Sequence, residues 1–108
     1  LGYLEPEQRH FASFTLPDHS YIQCIGSKTA LAVESRQYFE DGSFTHWVFG
    51  KGELVGREIR VGGPEGTVGV DESQVLKMRD ARLIIRQFLE TRTYPDRYAK
   101  QDISARFR

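Results

Sequence analysis

Apolar and polar residues alternate along much of the first half of the chain, and this period of two predicts β-strands. In residues 30–39, Leu31 and Val33 fall on one side of the strand and Glu34 falls on the other. Residues 43–51 return as the partner strand. The Asp-Gly pair between the two segments favours the positive φ angles of a tight turn, so the region predicts an antiparallel hairpin.

Two segments before this hairpin also have strand patterns. Residues 10–16 alternate loosely and stop at Pro17. Residues 20–27 carry apolar side chains on both of their faces, which is typical of a strand that is covered on both sides. We therefore predict that the second of these strands is central in the sheet.

The region 51–70 is rich in glycine and contains six of the ten glycines of the chain. This density makes a helix unfavourable there. We predict two short strands, at 57–61 and 67–70, joined by a turn at 62–66. The glycines are not followed by the Lys-Ser or Lys-Thr of a phosphate-binding loop, so the region is interpreted as a turn.

The pattern changes near residue 78, where apolar residues recur at the helical spacing of three and four. They are Ala81, Ile84, Ile85, Phe88 and Leu89. This stripe predicts an amphipathic helix over about residues 78–91, with Phe88 and Leu89 in the core. Pro95 ends the helical region, because the residue before a proline is pushed out of α geometry.

Strands that come first and a helix that comes last, without βαβ alternation, predict the α+β class. We expect one domain over residues 1–108, in which an antiparallel sheet of four to six strands packs against one main C-terminal helix. The helix is expected to cover the face of the hairpin that carries Phe44 and Val48. Residues 75–78 are a candidate short strand, and the polar tail is expected to hold one short turn.

Composition narrows the range of partners. The 108 residues include 15 Lys/Arg and 15 Asp/Glu, whereas nucleic-acid modules normally have a basic face or a high pI. The first 54 residues hold four of the Lys/Arg and seven of the Asp/Glu, so the first half of the chain is mildly acidic and the second half is mildly basic. No apolar run reaches the roughly 20 residues that span a bilayer, and the start lacks the pattern of a signal peptide. We expect a cytoplasmic protein that binds neither nucleic acid nor membrane.

The residues that could do chemistry do not form a known motif. Cys24 and His46 are a conceivable nucleophile and base, but a cysteine in a central strand is more often buried and inert. The single cysteine excludes an internal disulfide. The spacing of His10, His19 and His46 does not match that of zinc ligands. We therefore predict no catalytic residue, no metal site and no cofactor.

Charged residues on the helix and in the turns have two interpretations. Arg79, Arg82 and Arg86 share one helix face and could bind an acidic partner or phosphate. The favoured interpretation is that this face is simply exposed to solvent. The acidic pairs at 40–41 and 71–72 lie in predicted turns, where acidic residues are common because their side chains hydrogen-bond to the nearby backbone.

The predicted hairpin carries the most promising surface for a partner. Arginine and aromatic residues flanked by acids are typical of interface hot spots, but cross-strand pairs on an exposed sheet face would look the same. Both interpretations stay open. The candidate partner-binding residues are Glu34, Arg36, Tyr38, Glu40, Asp41 and Trp47.

The order of these segments resembles a bacterial immunity-protein family. The strands YIQC, LAVESRQ and FTHWVFGK are followed by a helix that ends in QFLETRTYP and by a polar tail around Asp102-Ile103. Members of that family neutralise polymorphic toxins, often deaminases, that are delivered between bacterial cells. The resemblance covers most of residues 20–103, but not the glycine-rich region or the first 19 residues.

This resemblance implies a non-enzymatic cytoplasmic protein that binds one cognate toxin and blocks its active site. The acidic residues of the first half would then face the basic cleft of a toxin that acts on nucleic acid. These residues are Glu34, Glu40, Asp41 and Glu53. Two alternatives remain open. One is a small domain that forms a homodimer through its sheet, and the other is a small-molecule binder or enzyme with Cys24, His46 and Tyr38 near a pocket between sheet and helix.

Overall fold

The computed structural model describes residues 11–27, 29–63 and 66–107 of the chain. Seven strands and one α-helix lie in this part. The strands are β1 (Phe11–Thr15), β2 (Tyr21–Gly26), β3 (Leu31–Tyr38), β4 (Phe44–Gly50), β5 (Glu58–Gly63), β6 (Gly66–Asp71) and β7 (Ala99–Asp102). The helix α1 spans Met78–Thr91, and short 3-10 turns form at Glu72–Gln74 and Ser104–Phe107. No helix of the described part is long and apolar enough to cross a membrane.

Five strands form one antiparallel sheet in the order β1-β2-β3-β4-β7, and β5 and β6 form a separate two-stranded hairpin. The α+β class and the C-terminal helix are therefore confirmed. The short turn expected in the tail forms at Ser104–Phe107, but the tail also contains an edge strand, β7, that was not predicted. The expectation of a strand at residues 75–78 was wrong, because this segment contributes only an isolated bridge between Leu31 and Leu76. The predicted strand at 10–16 and the turn at 62–66 include residues 10, 64 and 65, which lie outside the described part.

The helix packs on one face of the sheet and forms the larger apolar cluster. Ile84, Ile85 and Phe88 are buried against Val33 and Phe49 of the sheet. The expectation that α1 covers the Phe44/Val48 face was wrong. Alternation separates the two faces of a hairpin but does not say which face meets the helix, because both faces of β4 carry apolar residues.

Leu89 was also wrongly placed in the core, since 41% of its surface is exposed. A helix turns by about 100° per residue, so Leu89 lies well around the axis from Phe88, which is fully buried. The buried arc is centred on Ile84 and Phe88, and Leu89 falls beyond its edge.

The β5–β6 hairpin covers part of the opposite face of the sheet. Val61 and Val70 of the hairpin pack with Ala32 and Val48 of the sheet, and Ile103 completes this second cluster. The middle of the sheet is thus covered by the helix on one side and by the hairpin on the other. This arrangement confirms that the strand at 20–27, here β2, is covered on both sides.

The segment after α1 joins the helix to the sheet. Arg92 ends the helix in the left-handed conformation at φ 62°, and its amide donates to the carbonyl of Phe88. The ring of Tyr94 then stacks on Phe88 with centroids 5.5 Å apart, and its hydroxyl shares a 2.8 Å hydrogen bond with Ser35. Tyr94 therefore helps to fix the angle at which the chain returns to form β7.

Candidate interaction surface beside the β5–β6 hairpin

The β5–β6 hairpin covers only part of one face of the five-stranded sheet. On the uncovered part of that face, aromatic residues surround Arg36. Antiparallel pairing sets Tyr21 opposite Arg36, and Tyr38 opposite Phe44, so that these side chains share a face. Phe107 joins them from the C-terminal turn. We call this group the aromatic–arginine patch, and it consists of Tyr21, Arg36, Tyr38, Phe44 and Phe107.

Arg36 is held on several sides within this patch. Its Nε donates to Nδ1 of His46 at 3.0 Å, and its Nη1 donates to the hydroxyl of Tyr38 at 3.2 Å. The guanidinium carbon lies 4.1 Å from the ring centroid of Phe44 and 4.5 Å from that of Phe107. Stacking on rings and hydrogen bonding through the planar fork are both favourable for arginine. The guanidinium is therefore fixed before any partner arrives.

A buried pair of polar side chains lies beneath Arg36. His46 and Glu34 expose 1% and 8% of their surfaces, and Nε2 of His46 lies 2.6 Å from Oε1 of Glu34. Because Nδ1 of His46 accepts from Arg36, Nε2 carries the ring hydrogen and donates to the carboxylate. Glu34 is thereby satisfied inside the protein. The expectation that it faces the basic cleft of a partner does not fit this position.

The C-terminal turn completes the patch. The amide of His46 donates to the hydroxyl of Ser104 at 2.8 Å, and the amide of Ile103 donates to the carbonyl of His46 at 2.8 Å. These bonds hold the turn so that the ring of Phe107 lies 4.5 Å from that of His46. Sequence reasoning missed Phe107, because its position depends on the pairing of β7 with β4.

Trp47 does not belong to this surface. It is paired with Ser35, on the face that packs against α1, and it contacts the larger apolar cluster. The Nζ of Lys100 lies 4.5 Å from the centre of its ring. The structure therefore separates Trp47 from Arg36 and Tyr38, although all were predicted to contribute to one interface.

Glu40 and Asp41 lie in the exposed turn between β3 and β4, beside the Tyr38–Phe44 pair. The carboxylate of Asp41 accepts from the hydroxyl of Ser43 at 2.6 Å and from its amide at 2.9 Å, and these bonds lower the pKa of Asp41. Asp41 thus stabilises the turn and keeps a negative charge at the rim of the patch. Glu40 is exposed beside it.

The conceivable nucleophile and base are not brought together. Cys24 is fully buried in the cluster under α1, and burial raises the pKa of its thiol to about 11. His46 lies on the opposite face of the sheet with Tyr38. The described residues contain no group of three or more His, Cys, Asp or Glu that could hold a metal ion, and His10 lies outside them.

Neither a protein-family model, nor a curated protein, nor a solved structure matches this chain. The patch is therefore interpreted from its own geometry. It combines one fixed cation and four aromatic rings with an acidic rim. Arginine and aromatic side chains are enriched in protein–protein interfaces, and the rims of such interfaces are polar.

Proposed function

We propose that the protein is a non-enzymatic immunity protein that binds a cognate bacterial toxin in the cytoplasm and blocks it. The aromatic–arginine patch is its contact surface. The observation that carries this proposal is the fixed position of Arg36 between the rings of Phe44 and Phe107, with hydrogen bonds to His46 and Tyr38.

Fixed side chains favour tight binding for a physical reason. A flexible arginine loses rotamer freedom when a partner immobilises it, at roughly 0.5–1.5 kcal/mol for each side chain. Arg36 has already lost that freedom on folding. Phe107 adds an apolar anchor, since 48% of its surface is exposed. A partner that covers both residues gains apolar burial and polar contacts with little further ordering.

The acidic residues at the rim of the patch favour a partner with a basic surface. Glu40 and Asp41 are exposed at the turn, where their charges are not desolvated before binding. Exposed rim charges mainly speed the encounter with a partner of opposite sign. A toxin that acts on nucleic acid needs a basic cleft, and this rim is complementary to it. Glu34 contributes indirectly, by holding His46 and through it Arg36.

The proposal is tested by co-expressing the protein with the product of the neighbouring toxin-like gene. We expect the two proteins to co-purify and the cells to survive toxin expression. The double variant Y38A/F107A should lose both properties, while the control L54A/V55A should keep both. The control removes two exposed apolar residues that lie outside the patch.

Three results would contradict the proposal. One is the absence of any complex with the neighbouring product, and another is full protection by the Y38A/F107A variant. The third is a stable homodimer of the isolated protein that buries Phe107, measured by light scattering. That result would favour a self-associating domain.

A further inference from the structure

The outward face of α1 carries a row of cations. Arg79, Arg82 and Arg86 are all exposed there, and Leu83 lies among them with 42% of its surface exposed. Along the axis the three arginines span roughly 10 Å, at 1.5 Å per residue. We call Arg79, Arg82 and Arg86 the arginine row.

The arginine row is not neutralised by the ion pairs of the fold. Three ion pairs form in the part of the chain that the structure describes, and each involves other residues. The carboxylate of Asp80, on the same helix, is already engaged. It accepts from the hydroxyl of Tyr98 at 2.8 Å and from the amide of Lys77 at 3.0 Å.

Two more cations extend the positive surface beside the helix. Lys51 and Arg97 lie with Arg79 around a shallow hollow that also contains Asp80 and Tyr98. Burial opposes the ionisation of Asp80, but its two hydrogen bonds and the charges of Lys51 and Arg79 hold its pKa below the ordinary value. One carboxylate thus stands among three cations, and the hollow retains a positive excess.

Helix stability does not explain this arrangement. The positive end of the helix dipole lies at the N-terminus, so cations are favourable near the last turn and unfavourable near the first. In α1 the last turn of the helix contains no basic residue, whereas Arg79 and Arg82 lie in the first half. Only Arg79 lies in the first turn, where the dipole disfavours a cation, and Arg82 and Arg86 lie beyond the range of the dipole, so the dipole does not account for the row.

A shallow depression of about 460 Å³ lies next to the row. It is lined by Leu83, Arg86, Gln87, Glu90, Thr91 and Thr93. The apolar side chain of Leu83 and the charge of Arg86 meet at its edge. Such a depression can take an apolar side chain of a partner while neighbouring arginines bind carboxylates.

We infer that the outward face of α1 binds an acidic protein segment that also carries apolar side chains. The row pairs with aspartate or glutamate of that segment, and a leucine-like side chain enters the depression beside Leu83. Arginine suits this role because its fork donates two hydrogen bonds to one carboxylate. The inference is independent of the aromatic–arginine patch, which lies on the opposite side of the sheet.

A protein segment explains this face better than nucleic acid does. The chain has no net charge, and Glu90 lies in the same face at the end where the depression forms. A phosphate backbone would meet that negative charge and would gain nothing from the exposed leucine. A mixed acidic and apolar segment uses both the arginines and Leu83.

The test uses fluorescence anisotropy of the whole protein with a labelled peptide of alternating glutamate and leucine. A peptide with glutamine in place of glutamate, a labelled DNA duplex and vesicles of phosphatidylserine are the comparison probes. We expect saturable binding of the acidic peptide that weakens as salt is raised. The R82Q/R86Q variant should bind it about tenfold more weakly, which corresponds to about 1.4 kcal/mol.

The control variant R57Q/R106Q removes two exposed arginines away from α1 and should keep the affinity. Thermal melting should show that R82Q/R86Q is folded. Four outcomes would overturn the inference. They are no saturable binding of the acidic peptide, equal binding of the glutamine peptide, tighter binding of DNA or vesicles, and equal loss in the control variant.

Discussion

The two faces of the central sheet are covered in different ways. One face packs against α1 through a cluster of buried apolar residues that includes Val33, Phe49 and Phe88. The opposite face is divided between an apolar part under the β5–β6 hairpin and the polar, aromatic part around Arg36. The same strands thus have one face that is almost wholly apolar and a second face that combines an apolar cluster with an ordered polar and aromatic group.

The largest effect on stability should come from the face under α1. Phe88→Ala removes a fully buried ring that contacts Tyr94, and we expect it to lower the free energy of unfolding by about 3–5 kcal/mol. Leu89→Ala, at the next position, should change it by at most about 0.5 kcal/mol. Urea denaturation measures both. Similar losses for the two variants would show that the buried arc of α1 is misplaced.

A single substitution in the polar part of the opposite face should lower the free energy of unfolding almost as much. His46→Ala leaves the carboxylate of Glu34 buried without its partner, and we expect a loss of about 3 kcal/mol. The double variant E34L/H46L removes both partners and should be closer to the wild type in stability than H46A. If E34L/H46L were the less stable of the two, the pair would not be a coupled buried unit.

A smaller loss of stability is expected from a substitution in the segment that follows α1. Tyr94→Phe keeps the ring against Phe88 but removes the hydrogen bond to Ser35. The loss should be about 1 kcal/mol, the usual value for one such bond. Thermal unfolding of Y94F beside S35A checks this. A destabilisation as large as that of Phe88→Ala would mean that the ring of Tyr94 has moved.

The smallest effect concerns the pH dependence of stability. Hydrogen bonds from Arg92 and from the amide of Ser20 lower the pKa of Asp18 from 3.8 to about 2. Hydrogen bonds from Ser73 and from the amides of Val55 and Gly56 lower the pKa of Asp71. Since folding lowers both pKa values, the stabilisation is present above about pH 4 and is lost at lower pH, and the contribution of Asp18 is lost as pH falls through about 2.

The substitution Asp18→Asn isolates the first of these groups. It should reduce the dependence of the unfolding midpoint on pH between 4 and 2, and it should leave the midpoint near pH 7 only slightly lower because the site is exposed. An unchanged acid dependence would argue against the Asp18–Arg92 pair in solution.

The elements with strong periodicity could be predicted from the sequence. The helix has a full apolar stripe, and the β3–β4 hairpin has alternation and an Asp-Gly turn. β7 could not be predicted, because its four residues, AKQD, are mostly exposed and have no apolar pattern. An edge strand of this kind is determined by its pairing with β4 and not by its own composition.

The candidate surface was predictable only in part. Alternation places Arg36 and Tyr38 on one face of β3, as found. The face to which Trp47 belongs depends on the register between β3 and β4, which pairs Trp47 with Ser35. The burial of Glu34 depends on His46 across the same pairing. Local patterns do not contain such long-range information, so the composition of the patch had to come from the structure.

The central claim is that the aromatic–arginine patch binds a partner without being needed for the fold. The most direct measurement is the dissociation constant of F107A with the cognate toxin, obtained by calorimetry beside its thermal midpoint. We predict a complex at least about tenfold weaker, which is about 1.4 kcal/mol, with a midpoint within a few degrees of the wild type. An unchanged dissociation constant, or a loss of binding that accompanies unfolding, would contradict the claim.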